Sequence, residues 1–207
     1  MSVVAALGDP PPAPALQAAR RSLVAGEVVG LPTDTVYGLA VDPFRTGAAD
    51  RLFALKARPR SVALPVLVAD LDQALALTTA VPGLALAMMR RWWPGPLTLV
   101  LPRRSDLTVD LGTDEATVGI RCPAHPVPRS LAAEVGPLAT TSANRHGEPT
   151  LTKAAEVAET FGESVAVVLD AGPCDAPAST VVDCTGVELR LLRAGPLSWE
   201  ELLAAVR

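Results

Sequence analysis

Short apolar segments alternate with helical segments along this chain, and this alternation restricts the fold more than any other feature of the sequence. Apolar residues recur at helical spacing over residues 15–25 and stop at Gly26, and a short buried-type strand, residues 28–32, follows at once. Further strands and helices follow in mixed order toward the C-terminus. The pattern predicts an α/β fold in which helices cover a twisted sheet of mixed parallel and antiparallel strands, without a strict βαβ repeat.

The predicted elements follow from apolar periodicity together with capping and turn signals. Strands are expected within residues 28–32, 64–68, 97–101, 117–121, 137–141, 165–169, 180–184 and 188–193. Helices are expected over residues 15–25, 46–57, from 70 onward, up to 93, 128–135, 152–161 and from 198 onward. Thr46, Asp70 and Ser198 are the expected N-terminal caps. Residues 33–39 are expected to form a loop at the end of a buried strand, a common place for functional groups.

Composition places the chain among folded globular proteins. With 49% hydrophobic residues and a mean hydropathy of +0.32, its 207 residues can bury one full core. We therefore expect residues 1–14 to be an extended lead-in and residues 15–207 to form a single domain. The longest uncharged run, residues 73–89, is shorter than the roughly 20 residues that a membrane span needs. Because the N-terminus also lacks the basic segment of a secretory signal, we expect a cytoplasmic protein with no membrane partner.

Net charge and cysteine spacing argue against two further classes. The formal net charge of −4 disfavours a generally basic surface for nucleic acids, although it leaves room for one local basic groove. The three cysteines are far apart and form no C-x-x-C pair, which disfavours a zinc site or a disulfide framework. His125 and His146 lie in loops flanked by proline and glycine, so we expect both at the surface and predict no metal site.

A cluster of cations ends the helix predicted over residues 46–57. Lys56, Arg58 and Arg60 lie within five residues, and Lys56 is one of only two lysines among 18 basic residues. The cluster could stabilise the helix C-terminus through the helix dipole. It could also hold a polyphosphate, with the lysine as a point charge and the arginine as a two-bond fork. These residues alone leave both interpretations open.

Polar side chains also gather at the ends of predicted strands, where open α/β sheets bind ligands. Residues 140–144 carry four hydrogen-bonding side chains directly after an apolar stretch, although a self-contained turn would look the same. Thr33 and Thr35 would face one side of an extended segment, or they could cap the core. Arg121 closes an apolar strand and needs an anionic partner, either a structural carboxylate or a ligand. The sequence contains neither the P-loop pattern nor the G-x-G-x-x-G fingerprint, so a nucleotide would be held in another way.

Seven motifs in a fixed order resemble those of the YrdC-like family, the L-threonylcarbamoyl-AMP synthases. They are PTDTVYGL (32–39), KARP (56–59), WPGPLTLVLP (93–102), TVGIRCP (117–123), TSAN with GEP (141–149), STVVD (179–183) and LRAG (192–195). The resemblance covers about residues 15–198 and implies a YrdC-like fold. It also implies synthesis of threonylcarbamoyl-AMP and pyrophosphate from L-threonine, bicarbonate or CO2, and ATP. In the family this reaction starts the threonylcarbamoyl modification of tRNA adenosine.

The family's functional positions fall on particular residues of this chain. The implied ATP-binding residues are Lys56, Arg58, Thr117, Ser142, Asn144 and Arg193, with Lys56 and Arg58 as the catalytic phosphate contacts. The implied threonine-binding residues are Thr35, Arg121, Thr140 and Ser179, with Arg121 as the partner of the substrate carboxylate. The resemblance implies that Mg²⁺ is held mainly through the phosphates, with no protein metal ligands. It further implies downstream threonylcarbamoyl transferase enzymes as partners, and RNA as a candidate partner.

The chain departs from the family pattern at three positions. Val62 stands where many members carry asparagine or lysine, Leu67 where some carry histidine, and Ala178 where glutamate often precedes the S-T-V motif. A lost polar contact weakens binding by about 1–3 kcal/mol if its partner stays buried and unpaired. Two alternatives therefore stay open: a paralogue that makes another carbamoyl or acyl adenylate, and a non-catalytic module that binds structured RNA. Residues 58–63 are a candidate lid over ATP.

Overall fold

A mixed sheet of ten strands runs through the computed structural model, which describes residues 1–145 and 147–204. The strands are β1 (Ser2–Ala5), β2 (Val29–Leu31), β3 (Gly38–Val41), β4 (Val66–Leu67), β5 (Leu97–Pro102), β6 (Thr117–Arg121), β7 (Leu138–Ser142), β8 (Val167–Asp170), β9 (Thr180–Asp183) and β10 (Arg190–Arg193). The helices are α1 (Ala13–Val24), α2 (Ala48–Lys56), α3 (Leu71–Leu75), α4 (Gly83–Trp92), α5 (Pro126–Val135), α6 (Ala154–Phe161) and α7 (Trp199–Ala204), with a 3-10 turn at Gly162–Ser164. Within these described ranges, no helix is both long enough and apolar enough to cross a membrane.

The sheet mixes parallel and antiparallel pairs, as the sequence pattern predicts. Its strand order is β1-β8-β2-β3-β7-β4-β6-β5-β9-β10. The pairs β1/β8, β2/β8, β4/β6 and β5/β9 are parallel, and the remaining neighbours are antiparallel. The α/β class with a mixed, helix-covered sheet is therefore confirmed.

Helices cover the two faces of this sheet unequally. On one face, α2, α4, α6 and α7 contribute to a large apolar cluster that includes Phe53 and Met88. On the other face, α1 and α5 bury a smaller cluster, with Leu16 and Leu131, against β8, β2 and β3. The smaller cluster reaches Leu67 on β4, but it includes no described residue of β6, β5, β9 or β10. The half of this sheet face that β6, β5, β9 and β10 form is therefore not covered by α1 and α5.

Local signals in the sequence explain where several helices begin and end. The Asp70 carboxylate accepts a hydrogen bond from the Gln73 N–H at 2.8 Å and caps α3. Ser198 and Glu201 form a reciprocal capping box at the start of α7, with bonds of 2.9 and 3.2 Å. The expected Thr46 cap is wrong, because α2 starts after Gly47, which takes a left-handed conformation and makes no side-chain cap. A residue without Cβ adopts that conformation without strain.

Two strands lie outside the predicted set. Residues Ser2–Ala5, expected to be only an extended lead-in, form β1 and pair in parallel with β8 at one edge of the sheet. Gly38–Val41, which the sequence pattern places partly in a loop, form β3, fully buried between β2 and β7. The polar residues before Gly38 form the turn of the β2–β3 hairpin, so the strand begins only where the chain becomes apolar.

The structure tests the predicted surface position of only one of the two histidines. His125 is half-buried instead of lying at the surface, because its Nδ1 accepts a hydrogen bond from the Val127 N–H at 3.2 Å and caps α5. Burial lowers the pKa of His125, which suits this acceptor role of the neutral ring. His146 lies outside the described residues.

We expect Leu39→Ala to lower the free energy of unfolding by about 2–5 kcal/mol, because Leu39 is fully buried in β3 and its truncation leaves a cavity. Leu84→Ala is the matched control, since Leu84 is 42% exposed on α4 and its truncation should stay within about 1 kcal/mol. Urea unfolding of both variants measures the difference. Equal losses would contradict the placement of Leu39 in a central strand.

Candidate active site

A cavity of about 390 Å³ lies on the sheet face that α1 and α5 leave uncovered. Side-chain alternation along the strands explains why polar side chains reach this cavity while the opposite face is apolar. On β5, Leu99 packs into the large apolar cluster and Thr98 lines the cavity. On β6, Ile120 packs into that cluster and Arg121 lines the cavity. Each of these two strands therefore contributes side chains to the apolar core on one side and to the cavity lining on the other.

Three arginines converge on this cavity, and none of the described residues that line it is acidic. Arg121 is buried at the deep end, Arg58 is half-buried, and Arg193 is exposed near the mouth. Burial and the charge of Arg193 lower the pKa of Arg58. Although Arg193 as a residue is exposed, its guanidinium lies against Ser179, and partial desolvation together with the charge of Arg121 lowers its pKa. The described lining thus holds three cationic groups and no carboxylate, which favours an anionic ligand.

Arg121 makes three hydrogen bonds to two other segments of the chain, the turn between α4 and β5 and the turn between β2 and β3. Its Nε donates to the Gly95 carbonyl oxygen at 3.1 Å, and its Nη1 donates to the Thr35 hydroxyl at 2.8 Å. Its Nη2 donates to Asp34 Oδ1 at 2.6 Å in an ion pair. Burial lowers the pKa of Arg121, and the Asp34 carboxylate opposes that effect. The guanidinium is therefore fixed in direction while one edge of the residue faces the cavity.

Hydroxyl groups surround the deep end of the cavity. The Thr33 and Thr35 hydroxyls lie 3.0 Å apart, and the Thr98 and Ser179 hydroxyls lie 2.8 Å apart. Arg193 Nη2 donates to the Ser179 hydroxyl at 3.0 Å, which links the mouth of the cavity to its interior. Hydroxyls both donate and accept, so this end suits a small ligand with a carboxylate and other polar groups.

Arg58 folds back onto the loop that follows it. Its Nε donates to the Val62 carbonyl oxygen at 2.7 Å, and its Nη2 donates to the Ala63 carbonyl oxygen at 2.9 Å. Val62 itself lines the cavity and is 47% exposed. Closure of the 58–63 segment over a ligand stays a prediction.

Lys56 occupies a different environment from the three arginines. It is 4% exposed, and its ammonium donates to the Ser142 carbonyl oxygen at 2.9 Å, to Asn144 Oδ1 at 2.5 Å and to the Asn144 carbonyl oxygen. Burial, reinforced by the nearby Arg58 charge, lowers the pKa of Lys56 to about 8. These three bonds use all three N–H groups of the ammonium. Lys56 therefore ties the end of α2 to the segment after β7.

The structure brings most of the sequence-predicted site residues together. Eight of them line the one cavity: Thr35, Arg58, Thr117, Arg121, Thr140, Ser142, Ser179 and Arg193. Lys56 and Asn144 do not line it, and they lie behind Ser142 in the cross-link just described. The Thr117 hydroxyl donates to Asp114 Oδ2, and the Thr140 hydroxyl donates to the Pro65 carbonyl oxygen at 3.4 Å. Leu67 and Ala178, where the chain departs from the family pattern, also line the cavity.

Sequence reasoning missed Asp34 and Thr98. Thr98 had a detectable signal, because it is a polar residue inside an otherwise apolar strand, LTLVLP. Asp34 had a weaker one, as an acidic residue between two threonines in a predicted loop. Its pairing with a residue 87 positions away depends on the hairpin turn, which local sequence does not specify.

Comparisons with known proteins were consistent with this geometry. Residues 21–195 match the Sua5/YciO/YrdC family model, described as "Telomere recombination". A Mycobacterium tuberculosis relative, provisionally named a threonylcarbamoyl-AMP synthase, is 42% identical over 87% of this chain and 84% of its own length. The threonylcarbamoyl-AMP synthase of Bacillus subtilis is 38% identical over 93% of this chain and 57% of its own length. The structure of P. abyssi Sua5 complexed with L-threonine matches 99% of this chain and 60% of that one, with 33% identity and a TM-score of 0.92.

We expect Lys56→Met to lower the free energy of unfolding by about 2–4 kcal/mol, because three oxygen acceptors lose a charged donor. Lys153→Met is the matched control, since Lys153 is exposed and its loss should change stability by about 0.5 kcal/mol at most. Chemical denaturation at pH 7 measures both. Equal effects for the two lysines would contradict the cross-link.

Proposed function

The chain belongs to the Sua5/YciO/YrdC family, and on that premise we propose that it makes L-threonylcarbamoyl-AMP and pyrophosphate from L-threonine, bicarbonate or CO2, and ATP. The observation that carries this proposal is the division of one cavity into a buried end rich in hydroxyls and a mouth flanked by two arginines. A small amino acid fits the first environment and a triphosphate fits the second. The structure of P. abyssi Sua5 complexed with L-threonine, to which this chain is similar, supports the amino-acid assignment.

We place the amino acid at the deep end. There, the Arg121 guanidinium takes the substrate carboxylate in a two-bond pair, and the hydroxyls of Thr35, Thr140 and Ser179 surround the remaining polar groups. These side chains are all at least nine-tenths buried, so water competes weakly for the same bonds.

We place the nucleotide phosphates between Arg58 and Arg193. Thr117 and Ser142, which line the same cavity, lie within this nucleotide region in the proposal. Lys56 and Asn144 contribute indirectly, because their cross-link holds the backbone of Ser142. This role differs from the direct phosphate contact that the family resemblance implies for Lys56 and from the ATP contact that it implies for Asn144.

The proposed chemistry needs positioning more than a dedicated base. The threonine amine nitrogen bonds to the carbon of CO2 and releases a proton to solvent, or to the carbon of bicarbonate with loss of water, to give a carbamate. A carbamate oxygen then bonds to the α-phosphorus of ATP while the bond to the β-phosphate oxygen breaks, and pyrophosphate leaves with the electron pair. Fixed cations near the leaving phosphates stabilise the charge that develops there, and a cavity that holds both substrates supplies the alignment.

Mg²⁺ would enter the proposed site with ATP. The described residues contain no group of three or more acidic, histidine or cysteine side chains placed to hold a metal ion, and the described cavity lining has no carboxylate. We therefore propose that Mg²⁺ reaches the cavity as the ATP complex, with phosphates and water as its ligands.

The product contains a reactive mixed anhydride, which requires a consuming partner. We propose that threonylcarbamoyl transferase enzymes take the group from this product and place it on tRNA adenosine.

Pyrophosphate release from ATP, Mg²⁺ and bicarbonate, screened across amino acids, tests the proposal. We expect release that depends on L-threonine. Release only with another amino acid would replace threonine as the substrate and favour the paralogue alternative. If no amino acid supports pyrophosphate release and the protein binds RNA in a salt-sensitive way, the protein is an RNA-binding module and not this enzyme.

We expect Arg58→Ala and Arg193→Ala each to lower kcat by about 100-fold or more, because each removes a cation that faces the phosphates. Arg104→Ala is the matched control: Arg104 does not line the cavity and pairs with Asp106 in an exposed ion pair. Steady-state pyrophosphate release measures all three variants. Losses in Arg104→Ala as large as those in the other two would contradict the assignment.

A further inference from the structure

The three arginines of the cavity differ in their acidic partners. Asp34 pairs with Arg121 at 2.6 Å, whereas no ion pair among the described residues involves Arg58 or Arg193. The deep end of the cavity is therefore close to charge-neutral, and the mouth keeps two uncompensated cations. Without Asp34, the three guanidinium groups would form one continuous cationic path.

Asp34 acts on the cavity from outside its lining. Its side chain is 16% exposed and is not part of the cavity wall, although Arg121, its partner, is. The loop that carries Asp34 is held in place by the Thr33 hydroxyl. That hydroxyl accepts bonds from the Thr35 and Val36 N–H groups, each at 3.1 Å, and donates to the Val36 carbonyl oxygen at 2.6 Å. A carboxylate on so constrained a turn fixes the direction of the group that it binds.

The hydrogen-bond inventory of Arg121 shows what remains available for a ligand. A guanidinium has five N–H groups, and the described partners of Arg121 take one on Nε, one on Nη1 and one on Nη2. One N–H is left on each terminal nitrogen. Two N–H groups are the number that a single carboxylate takes in a two-bond pair.

We propose that Asp34 is a positioning and specificity-determining residue, which aims Arg121 at the amino-acid carboxylate and keeps phosphate groups at the Arg58–Arg193 end of the cavity. This inference rests on the proposed function for the identity of the two substrates. A carboxylate with a single charge can replace solvent on the two free N–H groups of Arg121, whose own charge is paired with Asp34. A phosphate with two charges gains less there than beside Arg58 and Arg193, where no carboxylate repels it.

The direct test compares wild type with Asp34→Asn, which keeps the shape of the side chain and removes its charge. We expect the KM for L-threonine to rise about tenfold, with the KM for ATP changed less than about threefold. We also expect inorganic phosphate to become a competitive inhibitor against threonine in this variant only. A purely structural role would not create that competition. Equal rises in both KM values without phosphate competition would overturn the proposal.

Asp106→Asn is the matched control, because Asp106 pairs with Arg104 in an exposed ion pair and neither residue lines the cavity. We expect its kinetic constants and its phosphate inhibition to match those of wild type. If Asp34→Asn does no more than this control, Asp34 has no role in substrate selection.

A binding measurement separates this inference from the proposed function. By calorimetry, we expect wild type to take up one inorganic phosphate per chain and Asp34→Asn to take up two, irrespective of catalysis. Absence of threonine-dependent pyrophosphate release in wild type would overturn the proposed function. The phosphate stoichiometry would still test whether Asp34 keeps phosphate out of the deep end of the cavity. Binding of one phosphate by both proteins would overturn that role of Asp34.

Wild type alone also tests the proposal, should Asp34→Asn fail to fold. We expect saturating phosphate to leave the Kd for L-threonine unchanged within about twofold, because the two ligands occupy different ends of the cavity. Competition between phosphate and threonine in wild type would overturn the proposal.

Discussion

The buried guanidinium of Arg121 is the group on which the arrangement of this site depends. An arginine at 6% exposure needs partners, because an unpaired buried cation is strongly unfavourable. Its partners come from the β2–β3 turn and from the turn between α4 and β5. That second turn is itself tightly constrained: a Cβ at Gly95 would lie 2.3 Å from the Trp92 carbonyl oxygen, and the Gly95 N–H donates to the Cys122 carbonyl oxygen at 2.8 Å. The hydrogen bonds that stabilise the Arg121 charge thus hold β6, the β2–β3 turn and the α4–β5 turn together around the cavity.

The Arg121 guanidinium can meet a ligand because helices cover the two faces of the sheet unequally. A continuous layer of helices over both faces would require apolar side chains on every strand. Here, α1 and α5 reach only part of one face, and β5 and β6 carry a threonine and an arginine where that cover ends. The strands still contribute Leu99 and Ile120 to the apolar cluster behind them. The fold therefore places polar and charged side chains in a cavity while the same strands keep the apolar core intact.

Much of this could be predicted from the sequence, since periodicity and caps are local properties. The mixed α/β sheet, the Asp70 cap and the Ser198 capping box are confirmed by the structure. The edge strand β1 was missed because four residues beside a proline-rich segment acquire a strand identity only by pairing with β8. Asp34 was missed for a related reason: an ion pair across 87 positions depends on the hairpin that brings the loop to β6. Motif order could identify candidate site residues, but not which of them face the cavity.

Lys56 shows why residue type and residue role have to be separated. In a chain that uses arginine almost everywhere, a lysine two positions before an arginine favours phosphate binding. A direct phosphate contact by Lys56 stays a prediction. In the structure, the three N–H groups of its ammonium reach three oxygens of Ser142 and Asn144. The lysine thus holds the backbone of the segment after β7, while the arginines supply the positive charge of the described cavity lining.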